Sequence, residues 1–224
     1  MYKSYKIFVI DLELDKEQYN IIDTMCQRAS VIYNTSLDEA YNFYEDYQNG
    51  IIHTYVNYWG VVIEKGPYVG YIDLNKKVRN SKDDKGNTIY TSLPCYISQQ
   101  IVKKIDREFG SFFRLSPEDA ESSTHKPKYL EKDSRLALGF SKRSFKYKEG
   151  YLYITVSKDL HKGRLKLIKL PSCIHPDTVE YISYIEIVPK LNNHEIKYEM
   201  HITYETQYLE DLEETKELER LRKS

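Results

Sequence analysis

Hydrophobic residues follow two different periods along the chain. Residues 2–14 predict a β-strand, with Tyr5, Ile7 and Val9 on one side and Lys6, Phe8 and Ile10 on the other. Between residues 22 and 44, apolar side chains recur every three or four positions, which is typical of one face of a long α-helix or of two helices nearly in line. Asp15, with Gln18 three positions later, predicts the start of this helix as a capping box. Asn49-Gly50 predicts its end.

The middle of the chain is less regular. Residues 51–63 are compatible with a second helix, while residues 66–70 and 81–87 carry the glycine, proline and polar residues of loops. Residues 116–124 are polar and acidic, as expected of a linker. A further helix is predicted to begin near residues 92–95, and its apolar stripe comprises Ile97, Ile101, Ile105, Phe109 and Phe112 or Phe113.

After residue 125 the hydrophobic period becomes two. Alternating segments cover residues 140–148, 151–157, 164–170, 179–188 and 195–205. Glu149-Gly150 joins the first two as a hairpin. Since an unpaired strand edge is unfavourable, we expect the opening strand to pair with these later strands.

These elements predict an α+β fold. Its predicted core is a small antiparallel β-barrel, interrupted by a helical insertion that forms a separate lobe. The predicted boundaries are residues 1–14 and 125–206 for the barrel, 15–124 for the helical lobe, and 207–224 for a charged helical tail.

Composition narrows the class of protein. The 224 residues are 41% hydrophobic and 30% charged, as in a folded globular domain. Three scattered cysteines without a Cys-x-x-Cys pair predict neither a disulfide framework nor a zinc site. There is no signal-peptide pattern and no apolar run long enough to span a membrane. We therefore expect a cytoplasmic protein with no membrane partner and no cofactor.

Charge is distributed unevenly. The whole chain has 33 basic and 34 acidic residues, but residues 125–170 contain thirteen Lys and Arg against four Asp and Glu, a net charge of +9. The chain has 22 tyrosines, several of them beside lysine, as in Tyr5-Lys6 and Lys146-Tyr147-Lys148. The basic segment is itself interleaved with aromatic residues, namely Phe140, Phe145, Tyr147, Tyr151 and Tyr153. Cations interleaved with aromatic rings favour nucleic-acid binding. The alternatives are lysines that protect a strand edge from aggregation and a gene composition that favours tyrosine and lysine codons.

Four segments carry a resemblance to a known family: Lys16-Glu17-Gln18 with Arg28 and Tyr33-Asn34; residues 98–114, which end in Phe109, Phe112 and Phe113; the basic residues 125–147; and RLKLIKLP at 164–171. In this order and spacing they resemble the N-terminal part of transposon-encoded TnpB proteins and the related miniature type V CRISPR effectors. The match covers about residues 5–206. The resemblance implies a wedge barrel split by a helical recognition lobe, which is the architecture that periodicity also predicts.

The sequence departs from this family where catalysis is expected. In the family, the barrel leads into a RuvC-type nuclease, which begins with an Asp-x-Gly strand and supplies carboxylates to paired metal ions. No Asp-x-Gly follows residue 206, and there are no zinc-ribbon cysteines. We therefore expect no catalytic residue and no cleavage by this chain alone. Cleavage would need a separately encoded nuclease half.

The resemblance implies two nucleic-acid partners, a structured guide RNA and a double-stranded DNA target. The residues that match the readers of the flanking DNA motif are Tyr55, Tyr96, Gln99 and Lys142. Gln99 suits a bidentate contact to adenine, and the tyrosines suit thymine methyl groups or phosphate. The residues expected to hold the nucleic-acid backbone are Arg28, Lys126, Lys128, Arg143, Lys146 and Arg164.

The sequence thus predicts an RNA-guided DNA-binding protein that acts by occupancy, for example in transcriptional repression, or the binding half of a split effector. Two other interpretations stay open: an interaction protein that forms a homodimer through its tail, and a degenerate transposon remnant that binds RNA non-specifically. For single residues, the alternatives are that Gln99 is simply an exposed helix residue and that Arg28 pairs with Asp23 or Glu17.

Overall fold

The computed structural model describes residues 5–113, 126–170, 182–193 and 195–205. The predicted linker 116–124 and tail 207–224 lie outside the described residues. The helices are α1 (Lys16–Gln48), α2 (Tyr71–Asn80), a short 3-10 helix (Ile89–Ser92) and α3 (Cys95–Phe112). The strands are β1 (Tyr5–Asp11), β2 (Thr54–Val56), β3 (Val62–Glu64), β4 (Leu138–Ser141), β5 (Phe145–Lys148), β6 (Tyr151–Thr155), β7 (Arg164–Lys169), β8 (Ile182–Asn192) and β9 (Glu195–Glu205). The predicted α+β class is confirmed.

The chain divides into two compact units. The first comprises residues 1–25 and 136–224, and the second comprises residues 26–135. Helix α1 therefore contributes its first turns to one unit and its remaining turns to the other. The predicted boundaries lie at residues 14/15 and 124/125, whereas the two units divide at residues 25/26 and 135/136.

The first unit contains two antiparallel sheets. One has the strand order β1-β9-β8-β4, and the other has the order β5-β6-β7. Strand β1 pairs with β9 from Tyr5 opposite Glu205 to Asp11 opposite Glu199. The predicted pairing of the opening strand with the late strands is therefore confirmed. The described strands of the predicted barrel form these two separately hydrogen-bonded sheets.

Strand alternation builds the core of this unit. On the four-stranded sheet, the inner face buries Phe140, Ile185 and Met200 completely. On the three-stranded sheet, Leu152 and Ile154 are equally inaccessible. Each such side chain contributes about 1.5–3 kcal/mol by leaving water. In β6 and β9 the buried residues alternate with more exposed ones, so the alternation in the sequence identifies the buried face.

The continuous strand predicted over residues 140–148 is wrong. The chain instead forms β4 and β5, which belong to different sheets. Between them lies a turn in which the Ser144 amide donates to the Ser141 carbonyl oxygen at 2.7 Å. Lys142 and Arg143 occupy this turn and are exposed. The turn interrupts the strand and redirects the chain into the second sheet, a change that alternation alone does not reveal.

Helix α1 begins as its sequence predicts. The Asp15 amide donates to Gln18 Oε1 at 2.9 Å, and the Gln18 amide donates to Asp15 Oδ1 at 2.8 Å, which confirms the capping box. Gln18 Nε2 also donates to the carbonyl oxygens of Lys166 and Leu167 on β7, at 3.0 and 3.2 Å. Gln18 therefore holds the helix start against an edge of the three-stranded sheet. At the other end, Gly50 adopts a φ of 77°, as the predicted stop requires.

The second unit is mainly helical, and its long helices match the predicted stripes. In α1, Leu37 is completely buried; in α3, Ile97 and Ile105 are completely buried and Phe109 nearly so. The ring of Phe109 packs edge-on against Tyr41 of α1, with centroids 5.2 Å apart. Helix α2 is not predicted by the sequence analysis. It is polar and short, and its buried residues are Leu74 and Val78, too few to establish a period.

The second helix predicted over residues 51–63 is wrong, because these residues form the β2–β3 hairpin. Its turn is organised by Asn57, whose Oδ1 accepts hydrogen bonds from the amides of Trp59 and Val61 at 3.0 and 2.9 Å. Gly60 supplies a φ of 76° in the same turn. Such side-chain to backbone bonds favour a turn over a helix.

None of the described helices is long and apolar enough to cross a membrane.

Candidate nucleic-acid interface

The three-stranded sheet β5-β6-β7 has one apolar face and one polar face. Phe145, Leu152, Ile154 and Leu165 point to the buried side. Phe145 lies opposite Ile154, which lies opposite Leu165, so the three share one face across all strands. The residues between them must point the other way, because successive side chains on a strand alternate.

This outer face consists of two rows of lysine, tyrosine and lysine. In one row Lys146 lies opposite Tyr153, which lies opposite Lys166. In the other row Lys148 lies opposite Tyr151, which lies opposite Lys169. A further pair, Thr155 and Arg164, continues the face at the end of the sheet. We call this surface the Lys–Tyr face: Lys146, Lys148, Tyr151, Tyr153, Arg164, Lys166 and Lys169.

A register shift completes the second row. Lys166 and Lys169 are three positions apart, so strict alternation would place them on opposite faces of β7. The pairing of β6 with β7 is irregular between Tyr151 and Tyr153, which accommodates one extra residue on β7. Both lysines are exposed and both lie opposite an outer tyrosine. The irregularity therefore adds a cation to the face.

The Lys–Tyr face is strongly cationic. Strands β5, β6 and β7 carry five Lys and Arg on this face and no acidic residue. The nearest acid in sequence is Glu149 in the β5–β6 turn, whose Oε1 lies 3.2 Å from Lys148 Nζ. Their side chains are 74% and 73% exposed, so this ion pair contributes little. The amino group of Lys166 lies 3.5 Å from the centroid of the Tyr151 ring, a cation–π contact.

Acidic residues mark one border of the face. A groove of about 460 Å³ lies beside Tyr151 and Lys169, and Asp11, Glu13 and Asp15 line its other side. Carboxylates repel phosphate, so a polyanion on the Lys–Tyr face is expected to avoid this border.

Three of the predicted backbone-holding residues belong to the first unit. Lys146 and Arg164 are part of the Lys–Tyr face. Arg143 lies in the preceding turn, and its carbonyl oxygen accepts a hydrogen bond from Arg164 Nη2 at 3.1 Å. Lys142, predicted to read a DNA motif, lies in the same turn and is exposed. The structure thus brings these four together around β5 and β7.

The other three backbone-holding candidates belong to the second unit. Arg28 Nη1 donates to the carbonyl oxygen of Ser92 at 2.9 Å, so this guanidinium helps to fix the end of the 3-10 helix. Lys126 lies 5.8 Å from each of two ring centroids, those of Tyr44 and Phe112. Lys128 is exposed. The thirteen cations of the basic segment are therefore divided, with four in the second unit and nine in the first.

The remaining motif-reading candidates also lie in the second unit. Tyr96 is 42% exposed at the start of α3, and Gln99 follows three positions later on the same side of the helix. Gln99 Nε2 lies 3.5 Å from the sulfur of Cys95, one turn earlier. Tyr55 is 46% exposed, but it lies on strand β2 rather than on the predicted helix. This correction follows from the hairpin described above.

Sequence reasoning assigns two of the seven residues of the Lys–Tyr face, Lys146 and Arg164, to a binding site. It counts Lys148, Tyr151, Tyr153, Lys166 and Lys169 only as members of the basic, aromatic-containing segment. A signal existed in KYK-EG-YLY, because a two-residue hairpin fixes the register and therefore places each tyrosine of β6 opposite a lysine of β5. It also missed the exposed tip of the β2–β3 hairpin, where Tyr58 and Trp59 are 96% and 81% exposed.

Among the described residues, no group of three His, Cys, Asp or Glu side chains is arranged to hold a metal ion. Comparison with known proteins finds no family model that matches the chain and no curated protein that matches it. The resemblance to TnpB proteins therefore stays a prediction.

Proposed function

We propose that this protein binds nucleic acid through the Lys–Tyr face. The observation that supports the proposal best is the pair of lysine–tyrosine–lysine rows on one exposed side of β5-β6-β7. Lysines neutralise phosphates, and tyrosine rings stack on bases, so the two residue types serve the two parts of a nucleotide.

The arrangement argues against lysines that only protect the sheet from aggregation. All five cations lie on β5 and β7, the outer strands of this sheet, where lysines also oppose edge-to-edge association. Edge protection does not explain why they share one face with both tyrosines of β6 and with no acid on the same strands. The cations lie on β5 and β7, on either side of β6, and like charges gathered on one face repel and destabilise the free protein. A bound polyanion relieves this repulsion, which gives the clustering a function.

Within this function, the resemblance to TnpB proteins supports a more specific proposal. The nucleic acid on the Lys–Tyr face is a guide RNA, and the RNA pairs with a DNA target while the protein reads only a short flanking motif. The protein then acts by occupying its target in the cytoplasm or nucleoid, and a nuclease half would have to come from another chain. Tyr55, Tyr96, Gln99 and Lys142 remain the candidates for the motif.

The test begins with the nucleic acid that co-purifies with the full chain. The expected result is a defined RNA, identified by sequencing and released by high salt. A variant with alanine at Lys146, Lys148, Lys166 and Lys169 should purify free of it. The matched control has alanine at four exposed lysines outside the face, namely Lys76, Lys82, Lys85 and Lys190.

The control should retain the RNA, because its lysines lie elsewhere while the loss of charge is the same. Equal loss of RNA in both variants would mean that total charge, rather than the Lys–Tyr face, governs binding. A mixture of unrelated RNAs on the wild-type chain would contradict the guided mechanism and favour non-specific binding.

A further inference from the structure

We infer that the Lys–Tyr face selects single-stranded nucleic acid over a duplex, with one unstacked base on each of Tyr151 and Tyr153. This inference rests on the proposed function and names the ligand class of the same site. The inference follows from the spacing of the two tyrosines, from the accessibility of bases in single strands and duplexes, and from the positions of the lysines.

The spacing of the two tyrosines fits an extended strand. They are two positions apart on β6 and point to the same side, so their attachment points lie roughly 6.7 Å apart. Neighbouring bases in one strand of a duplex are stacked about 3.4 Å apart. A duplex therefore cannot present adjacent bases to both rings. A strand with separated, unstacked bases can do so.

The accessibility of bases points the same way. In a duplex both faces of an internal base are covered by its neighbours, so a tyrosine on the protein surface can contact only the backbone or a groove edge. In a single strand the faces are open, and stacking on aromatic side chains tolerates every base. The Lys–Tyr face places its aromatic residues on the central strand, where bases and not phosphates would lie.

The lysines lie on both sides of the tyrosines, where the phosphates of a strand stacked on the tyrosine rings would lie. Each ring has one lysine on β5 and one on β7 directly opposite it. In the free protein, Lys166 Nζ lies 3.5 Å from the centroid of the Tyr151 ring. A base that stacks on Tyr151 would displace this ammonium group, which can then reach a phosphate of the same strand. The base thus takes the place of the ammonium group on the Tyr151 ring, and the ammonium group exchanges its contact with the ring for one with a phosphate.

The experiment compares single strands with duplexes on the full-length chain. Fluorescence anisotropy would measure the binding of labelled oligouridine and oligothymidine, and of an RNA and a DNA duplex of the same length, in one buffer. We expect at least about tenfold tighter binding of the single strands. A preference of either single strand over its own duplex supports the inference, whichever sugar is bound more tightly.

Two tyrosine variants make the test specific. Tyr151→Leu and Tyr153→Leu should each weaken single-strand binding by about tenfold, because each removes one stacking surface, and should change duplex binding by less than about twofold. Tyr151→Phe and Tyr153→Phe keep the ring and should bind as the wild type does. Tyr5→Leu is the matched control, because Tyr5 is 52% exposed on the other sheet.

The outcomes separate this inference from the proposed function. If no nucleic acid binds, the proposed function fails. If duplex and single strand bind equally, or if the leucine variants weaken both to the same extent, nucleic-acid binding stands and the single-strand inference is overturned. If a leucine variant is unfolded by circular dichroism, the phenylalanine variants and the wild-type comparison still decide the question.

Discussion

Removal of one lysine row should change the salt dependence of binding by a calculable amount. The double substitution Lys146→Ala with Lys166→Ala deletes both cations that flank Tyr153. If all five cations of the Lys–Tyr face contact phosphates of a single strand, the logarithm of the affinity should fall with the logarithm of salt concentration with a slope of about −3.5. Between about 50 and 200 mM salt, the affinity then falls about a hundredfold.

The double variant keeps three of the five cations, so its slope should be about −2. Over the same salt range, its affinity should fall only about twentyfold. The assay is fluorescence anisotropy with labelled oligouridine at several salt concentrations. A change in slope is more informative than a change in affinity, because it counts the phosphate contacts and is insensitive to small losses of folded protein.

The control removes the same number of lysines from the other sheet. Lys190 and Lys197 lie opposite each other on β8 and β9, and both are exposed. The variant Lys190→Ala with Lys197→Ala should keep the wild-type slope. Our reasoning is refuted if Lys146→Ala with Lys166→Ala leaves the slope unchanged, or if the control reduces it by the same amount.

Three further predictions concern stability. Burial raises the pKa of Tyr90 to about 12, above its unfolded value of about 10. The free energy of unfolding should therefore decrease as the pH rises from 10 to 12. Urea melts of Tyr90→Phe over the same pH range should show a shallower decrease, because this variant lacks the titrating hydroxyl. Gly139→Ala places a methyl group against the ring hydroxyl of Tyr184 and should lower the melting temperature, an effect that Tyr184→Ala should suppress in a double-mutant cycle. Asp15→Ala removes half of the capping box and should lower the free energy of unfolding in urea by about 1 kcal/mol, whereas Asp15→Asn should restore most of it.

The parts of the fold that the sequence predicts are those fixed by local interactions. Asp15 and Gln18 start α1 through bonds that span three residues, and Gly50 ends it through its own backbone freedom. Glu149-Gly150 forms the hairpin turn with φ angles of 54° and 83°; the type I′ geometry suits Gly150 and holds Glu149 in the left-handed region that glycine, Asn or Asp more often occupies. Such signals do not depend on where the remainder of the chain lies.

The parts that the sequence analysis predicts incorrectly depend on contacts far away in the chain. Residues 140–148 read as one strand, because nothing local shows that β4 pairs with β8 while β5 pairs with β6. Residues 51–63 contain too few polar positions to distinguish a helix from a hairpin by period. The Asn57 turn decides between them, and its side-chain bonds are recognisable only once the hairpin is proposed.

For the same reason, the sequence predicts the basic segment of the candidate site but not which of its residues share a face. The +9 charge of residues 125–170 is a property of the sequence, but its division between two units and the selection of one exposed face are properties of the fold. In particular, Lys169 joins the Lys–Tyr face through an irregular pairing of β6 with β7. The composition of the segment does not reveal such a register shift.

The separation of the candidate residues also constrains how specificity arises. Under the proposed function, the Lys–Tyr face supplies stacking and phosphate contacts, which hold a strand but discriminate weakly among sequences. A face of this chemistry can therefore position a guide without reading it, and selection of a target must come from base pairing or from side chains that reach base edges. Tyr96 and Gln99 share one side of α3 in the second unit and are the described pair best suited to that role. Gln99→Ala should thus alter the preference for a flanking motif while leaving guide binding intact, because holding and reading rest on different side chains.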